Sequence, residues 1–389
     1  MVNLGCEARA MHVLVLGAGF GGLELTTRLL DELGDSVSVT LIDRNDHFVF
    51  GFSKLDVMFG RTTADAVRHH YREVTRPGVR FVQTTIRSID PVAKSVATDA
   101  GTFEGDVVVV ALGADYDLAA TPGLAEAGHE FYTVAGAFGC RDVLGGFPGG
   151  RVVVGVCGTP FKCPPAPSET ALLVHDHLVA RGLRDTSSVA LVMPLPAPIP
   201  PSPDASKALL AAFAERDIEW HPSRAISHLD PQRRVAVDAE GGEIAFDLFL
   251  GVPKHVAPAV LHDSGLTVDG WVPVDFFTLE TGHRDVYALG DCTSVGTPKA
   301  GVFSEGQAVS AASAIVARAR GGEVHRYDGS AACYLEFGHE QVARVDIQFL
   351  QGRPPHGSLS GPHHELLAEK ADFGSSRIRR WFGHDWASY

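Results

Sequence analysis

The sequence predicts an α/β protein: two Rossmann-like dinucleotide-binding domains followed by a small C-terminal α+β segment. Three observations predict it. An apolar strand runs into a glycine-rich turn and an amphipathic helix within residues 12–33. Two later apolar strands, at 106–114 and 285–292, each close on a glycine turn. A second strand–turn–helix pattern begins at residue 151.

The first element, HVLVLGAGFGG (12–22), is a buried-strand run ending in Gly17-x-Gly19-x-x-Gly22. Leu23, Thr26, Leu29, Leu30 and Leu33 then recur on one face of a helix. The first glycine permits the tight turn, the second lets backbone approach a pyrophosphate, and the third lets helix and strand pack closely. The helix N-terminus then faces the phosphates, with Phe20 and Gly21 in its first turn. The second strand, SVSVTLID (36–43), ends on Asp43, 21 residues past Gly22 and followed by Arg44. A carboxylate there accepts hydrogen bonds from ribose hydroxyls.

DVVVVALGA (106–114), with Ala111 and Gly113, and DVYALGDC (285–292), with Gly290-Asp291, resemble the two downstream fingerprints of FAD-binding flavoproteins with two dinucleotide domains. That resemblance implies non-covalent FAD, with Asp291 on its ribityl chain. The expected organisation is a discontinuous FAD domain at 11–112 plus 255–325, a second Rossmann-like domain at 113–254, and a C-terminal segment at 326–389.

In the second domain the strand RVVVGVCG (151–158) should lead to another glycine-rich cradle. The turn reads CGTPFKCPPAPSE (157–169) instead, with Pro160, Pro164, Pro165 and Pro167. Proline has no amide hydrogen to offer a phosphate, and its ring blocks close backbone approach. The next strand, SVALVMP (188–194), ends without a carboxylate for a ribose. The expectation is a retained fold with a dismantled NAD site, the alternative being a shifted but working one. PLPAPIPPSP (194–203) reads as a surface loop.

FKCPPAPSETALL, from Phe161, resembles the cysteine segment of the sulfide:quinone oxidoreductases and flavocytochrome c sulfide dehydrogenases. SAACYLEFG (330–338) resembles the segment with their second redox cysteine. TPKAGVFSEGQA (297–308), containing Lys299 and Gly301, resembles the helix start beside their flavin. HFVFGFSKLDVMFG (47–60) is similar to their aromatic stretch after the first βαβ unit. The resemblance implies a redox-active Cys163–Cys333 disulfide attacked by sulfide or a related sulfur nucleophile, with Glu169 in proton transfer, Lys299 beside the flavin, and a quinone as acceptor.

Departures from the family are visible too. FYTVAG (131–136) lacks the third cysteine that many sulfide:quinone oxidoreductases carry, and FGFSKL (50–55) has no cysteine for covalent FAD attachment. Cys157 is the rival redox partner, while Cys6, Cys140 and Cys292 read as structural. Two other functions stay open: a type II NADH dehydrogenase-like enzyme, and a non-enzymatic flavin or thiol redox sensor.

Net charge of −14, from 33 basic and 47 acidic residues, argues against nucleic acid as a partner. No apolar run reaches membrane-spanning length. MVNLGCEARA (1–10) has no signal-peptide core, so a cytoplasmic location is expected, extending to the inner face of the membrane, with Met11 an alternative start. The tail patch Arg377, Ile378, Arg379, Arg380, Trp381 and Phe382 suits either a lipid interface or packing on the body. A homodimer is compatible with the chain. The eighteen histidines show no zinc-like spacing, and His363-His364 reads as loop.

Overall fold

A computed structural model describes residues 9–74 and 76–386. Cys6, expected to be structural, lies outside the described residues.

Two parallel sheets organise the chain. The first contains the strands Met11–Leu16, Val37–Asp43, Val79–Gln83, Val107–Val110 and Val286–Ala288, with Met11–Leu16 at its centre. Strand Val286–Ala288 returns late in the sequence to pair beside Val107–Val110. The central runs Met11–Leu16 and Val107–Val110 are largely apolar because both faces of a parallel sheet are covered, whereas the edge strand Val79–Gln83 carries exposed Arg80 and Gln83. Helix Phe20–Leu33 packs on one face, and helix Gly301–Arg320 lies alongside it. Leu14, Leu16, Val108 and Val110 point to the opposite core, with Leu261 and Val272.

The second sheet orders His129–Glu130, Leu248–Val252, Arg151–Val156, Ser188–Val192 and Ile218–His221, all parallel. Helix Ala166–Ala180 covers it and is buried along much of its length. The Pro-rich 194–203 stretch is not wholly a surface loop: Ile199 and Ser202 are buried, and helix Pro203–Glu215 starts at its last proline. A short antiparallel pair, Asp115–Asp117 with Lys254–Val256, joins the two units.

The C-terminal segment is a three-stranded antiparallel sheet, Ser330–Gly338, Gln341–Gln348 and His356–His363, followed by helix Leu366–Phe382. The third strand and the helix go beyond the expected hairpin, and His363 ends a strand where loop was expected. In the tail patch, Ile378, Trp381 and Phe382 are buried. Arg377 pairs with Glu305, Arg379 with Asp385, and Arg380 with Glu24 and Asp31. Of the two readings of that patch, packing on the body is the one these contacts carry. Among the described residues, no helix is long and apolar enough to cross a membrane.

Candidate active site

The first glycine turn is built as its spacing requires. Gly17 has φ +103°, and a Cβ there would lie within 2.7 Å of the Ala111 carbonyl carbon and nearer still to its oxygen. A Cβ on Gly22 would run into the Gly17 carbonyl, whereas one on Gly19 would meet nothing within 4 Å. The first and third glycines are therefore fixed by packing, and the second leaves open space at the helix N-terminus. Asp43 closes the turn, accepting from the Ala18 N–H at 2.8 Å and from Asn45. Arg44 reaches out to Asp115 and is mostly exposed.

A cavity of about 360 Å³ opens beyond this turn. Gly19, Phe20 and Gly21 line one part of it, Ala111 and Gly113 another, and Gly290, Asp291 and Gly301 a third. Cys163, Glu169 and Cys333 line the same cavity, so segments far apart in sequence converge on one space. Gly301 is required here because a Cβ would strike the Phe20 ring at 2.7 Å. Gly17, Gly22, Asp43 and Arg44 support the turn from outside this lining.

Asp291 tests whether a flavin dinucleotide fits. Its Oδ1 is buried with no hydrogen-bond partner, an arrangement proteins avoid unless a ligand supplies the donor. Burial raises its proton affinity, opposed by Lys162, Lys299 and Lys54. An orphaned acceptor facing polyol-sized space, beside an open glycine cradle at a helix N-terminus, suits an FAD ribityl chain and pyrophosphate.

The cysteine side of the cavity is made by two elements. Cys163 sits in the turn before helix Ala166–Ala180 at φ +47°, a conformation that non-glycine residues seldom adopt. The turn is held by two backbone bonds: Cys163 N–H donates to Lys299 O at 2.7 Å, and Ala166 N–H donates to Cys163 O at 2.8 Å. Cys333 lies on strand Ser330–Gly338, against which that helix packs. Both are free thiols in this structure. Burial pushes the Cys163 thiol up to about 12, with Glu169 adding to the rise and Lys54 opposing it. Cys333 is raised further by burial, and the charge of Cys163 is the next influence on it. Cys157 is not part of this lining; it packs against the opposite core of the second unit. Cys140 and Cys292 are buried against backbone carbonyls, in keeping with structural roles.

Glu169, in the first turn of the helix, is 5% exposed and accepts from the Glu336 N–H at 2.9 Å. Burial pushes its carboxyl up to about 7. The proline-rich turn and the helix it starts thus deliver Lys162, Cys163 and Glu169 to the cavity. Lys299, expected beside the flavin, is placed differently. Its Nζ donates to the Asp291 carbonyl at 2.6 Å and the Thr293 carbonyl at 3.2 Å, and it stacks on Trp271. It shapes the Gly290–Cys292 turn from behind and does not line the cavity.

Residues 11–321 match the pyridine nucleotide-disulphide oxidoreductase family. The chain belongs to that family. It is accordingly an FAD-dependent oxidoreductase. Along most of its length it is similar to the mitochondrial sulfide:quinone oxidoreductase of Mus musculus, 26% identical over 88% of this chain and 80% of that one. The sulfide-quinone reductase of Aquifex aeolicus is also 26% identical, over 85% and 82%. The crystal structure of the Aquifex sulfide:quinone oxidoreductase superposes with a TM-score of 0.84, at 21% identity and 96% and 93% coverage. Type II NADH:quinone oxidoreductase from Staphylococcus saprophyticus matches at 37%, but over only 26% of each chain.

Within this family frame, two functional candidates escaped the sequence reading. Lys54 and Lys162 line the cavity beside Cys163. Lys54 Nζ donates to the Tyr132 carbonyl at 2.6 Å, and burial lowers its proton affinity to about 8. Lys162 Nζ donates to the Ala114 carbonyl at 3.0 Å and sits over the Tyr116 ring. Single lysines have no spacing to betray them. Histidine spacing also missed His175, Asp176 and His339, whose ligand atoms lie within 4.8 Å of one another. Arg216 faces His339 Nδ1 at 3.3 Å, so this trio is satisfied as an ion-pair network.

Proposed function

We propose that this protein oxidises sulfide, or a related sulfur nucleophile, and passes the electrons to a quinone. The observation that carries the reading is the convergence of Cys163, Cys333 and Glu169 on the cavity framed by Gly19 and Asp291. Similarity to sulfide:quinone oxidoreductases over most of the chain supports it.

In the proposed cycle Cys163 and Cys333 form a disulfide. Hydrosulfide attacks one sulfur, the S–S bond breaks, and the chain is left with a persulfide on one cysteine and a thiolate on the other. Attack converts HS⁻ to a bound S–SH group, whose proton Glu169 can accept because burial holds its carboxyl near neutral pH. Lys54 favours the thiolate form of Cys163. Gly19, Asp291 and Gly301 would hold FAD, with Gly17, Gly22 and Asp43 shaping the turn behind them; bound there, FAD would supply a two-electron acceptor able to pass the pair to a quinone. Lys299 fixes the backbone that presents Asp291.

The dehydrogenase alternative needs a nucleotide cradle where the turn carrying Pro160, Pro164 and Pro165 instead turns into the cavity. The cytoplasmic location, a homodimer, and contact with a membrane surface belong to this reading as proposals. Any such contact would use the exposed charged side of the tail patch, since Ile378, Trp381 and Phe382 are buried.

Anaerobic mixing of the FAD-loaded protein with sulfide should bleach the flavin, and a short-chain quinone should restore its colour. Cys163→Ser and Cys333→Ser should each nearly abolish bleaching while FAD stays bound. Bleaching by NADH but not by sulfide would overturn the reading and favour the dehydrogenase. Normal bleaching in both serine variants would overturn the disulfide.

A further inference from the structure

A chain of buried charges joins Glu169 to the C-terminal helix. The Glu169 carboxyl and the Glu336 backbone are tied at 2.9 Å. The Glu336 side chain, 5% exposed, is ion-paired to both Lys370 and Arg61. Lys370 projects from helix Leu366–Phe382 and is only 2% exposed, its ammonium over the Phe52 ring. Arg61 also pairs with Asp56 at 2.9 Å, and Asp56 is 1% exposed. Apolar residues would fill such a space at lower desolvation cost, so a buried pair is weak evidence for stability alone. Its position points to another use.

The groups facing Glu169 come from every element around it. Glu336 on its strand raises the proton affinity of Glu169, while Lys370 on the C-terminal helix and Arg61 after helix Ser53–Met58 lower it. Cys163, Cys333 and Tyr132 face it across the cavity and feel its charge. Asp56 lies beyond, beside Arg61 and Lys370. Were Lys370 absent, the Glu336 carboxylate would be less compensated, and a buried Glu169 would be driven to stay protonated.

We propose that Lys370 is a positioning residue for Glu169, acting through Glu336: by compensating that carboxylate it keeps the Glu169 proton exchangeable instead of locked in place. The role rests on the sulfide-oxidising reading only in giving that proton a use. It makes the docked C-terminal helix part of the active site, although Lys370 does not line the cavity.

The test compares FAD-loaded wild type, Lys370→Met, Lys370→Arg, Glu336→Gln and the Lys370→Met/Glu336→Gln double variant. Two profiles are followed against pH: sulfide-dependent flavin bleaching, and iodoacetamide alkylation of Cys163 in the reduced protein, mapped by peptide mass. Alkylation needs no turnover and feels the charge on Glu169. Lys370→Met should move the break in both profiles upward by about one pH unit or more, the usual effect of losing an opposite charge nearby. Glu336→Gln should move it downward, the double variant should fall between, and Lys370→Arg should match wild type. A break that stays put in Lys370→Met and Glu336→Gln, with only lowered stability or FAD content, would overturn the proposal. If Lys370→Met does not fold, Glu336→Gln alone decides, an unmoved break again overturning it. Shifted alkylation in a protein that sulfide never bleaches would uphold this inference and sink the proposed reaction; bleaching with unmoved breaks would do the reverse.

Discussion

Trp381 offers a measurement of how firmly the C-terminal helix is held. The residue is 1% exposed, and its Nε1–H donates to Glu24 Oε2 at 2.8 Å. Phe20 and Phe48 meet its ring edge-on, with centroids at 5.8 and 5.7 Å. Trp381→Phe keeps an aromatic ring but withdraws the donor from a buried carboxylate. Hydrogen bonds to charged groups contribute about 1.5–3 kcal/mol, so a loss of about 2 kcal/mol is expected. Trp381→Ala removes the ring as well, and truncations of this kind cost about 3–5 kcal/mol. Against a total stability of about 5–15 kcal/mol, the alanine variant should be conspicuously weak. Urea unfolding followed by circular dichroism reads both, with the midpoint falling in the order wild type, phenylalanine, alanine. Because the ring also supports Phe20 at the cavity, the alanine variant should release FAD at lower urea. Midpoints for both variants equal to wild type would refute the docked geometry. Coupled with binding to anionic vesicles that is lost in the alanine variant, they would return the tail to a lipid interface.

Other outcomes follow from residues already placed. Gly17→Ala combines a left-handed backbone with a collision against Ala111, an expected loss of about 2–5 kcal/mol read by thermal unfolding together with FAD content. Glu169→Gln should change the pH dependence of stability. The wild-type carboxyl titrates at 4.5 when free and is pushed up to about 7 by burial, so its contribution is present below 4.5 and lost as pH rises through about 7. Glutamine does not ionise, and the variant should gain on wild type across that window in unfolding midpoints taken at successive pH values. Its sulfide-dependent turnover should fall by about 10²–10⁴-fold in stopped-flow measurements, with FAD retained.

The glycine turns were legible because their spacing is local: Gly22 answers to the Gly17 carbonyl within the same βαβ unit, although Gly17 itself is fixed by Ala111 on a distant strand end. Asp291 was legible as the residue after a glycine turn, and its orphaned oxygen gives that reading a physical reason. The cysteines were legible only through resemblance, since nothing in the spacing of 163 and 333 says that a helix and a strand will meet. Lys299 was legible as a position but not as a direction; its ammonium turns back to the Asp291 and Thr293 carbonyls. Lys370, Glu336 and Arg61 could not be read at all, because each is an ordinary surface residue until three distant segments bury it. The strand His356–His363 was hidden by its composition, HGSLSGPH, which lacks the apolar alternation of a half-buried strand.

The bond from the Cys163 N–H to the Lys299 carbonyl crosses between the halves of the molecule. One half contributes the sulfur, the other the start of the helix beside the Asp291 turn, and 2.7 Å of backbone contact sutures them. Sliding one half past the other would break that bond and shift the sulfur relative to the Asp291 turn. The reactive centre is therefore assembled from both halves, and the position of its sulfur is tied to the backbone that presents Asp291.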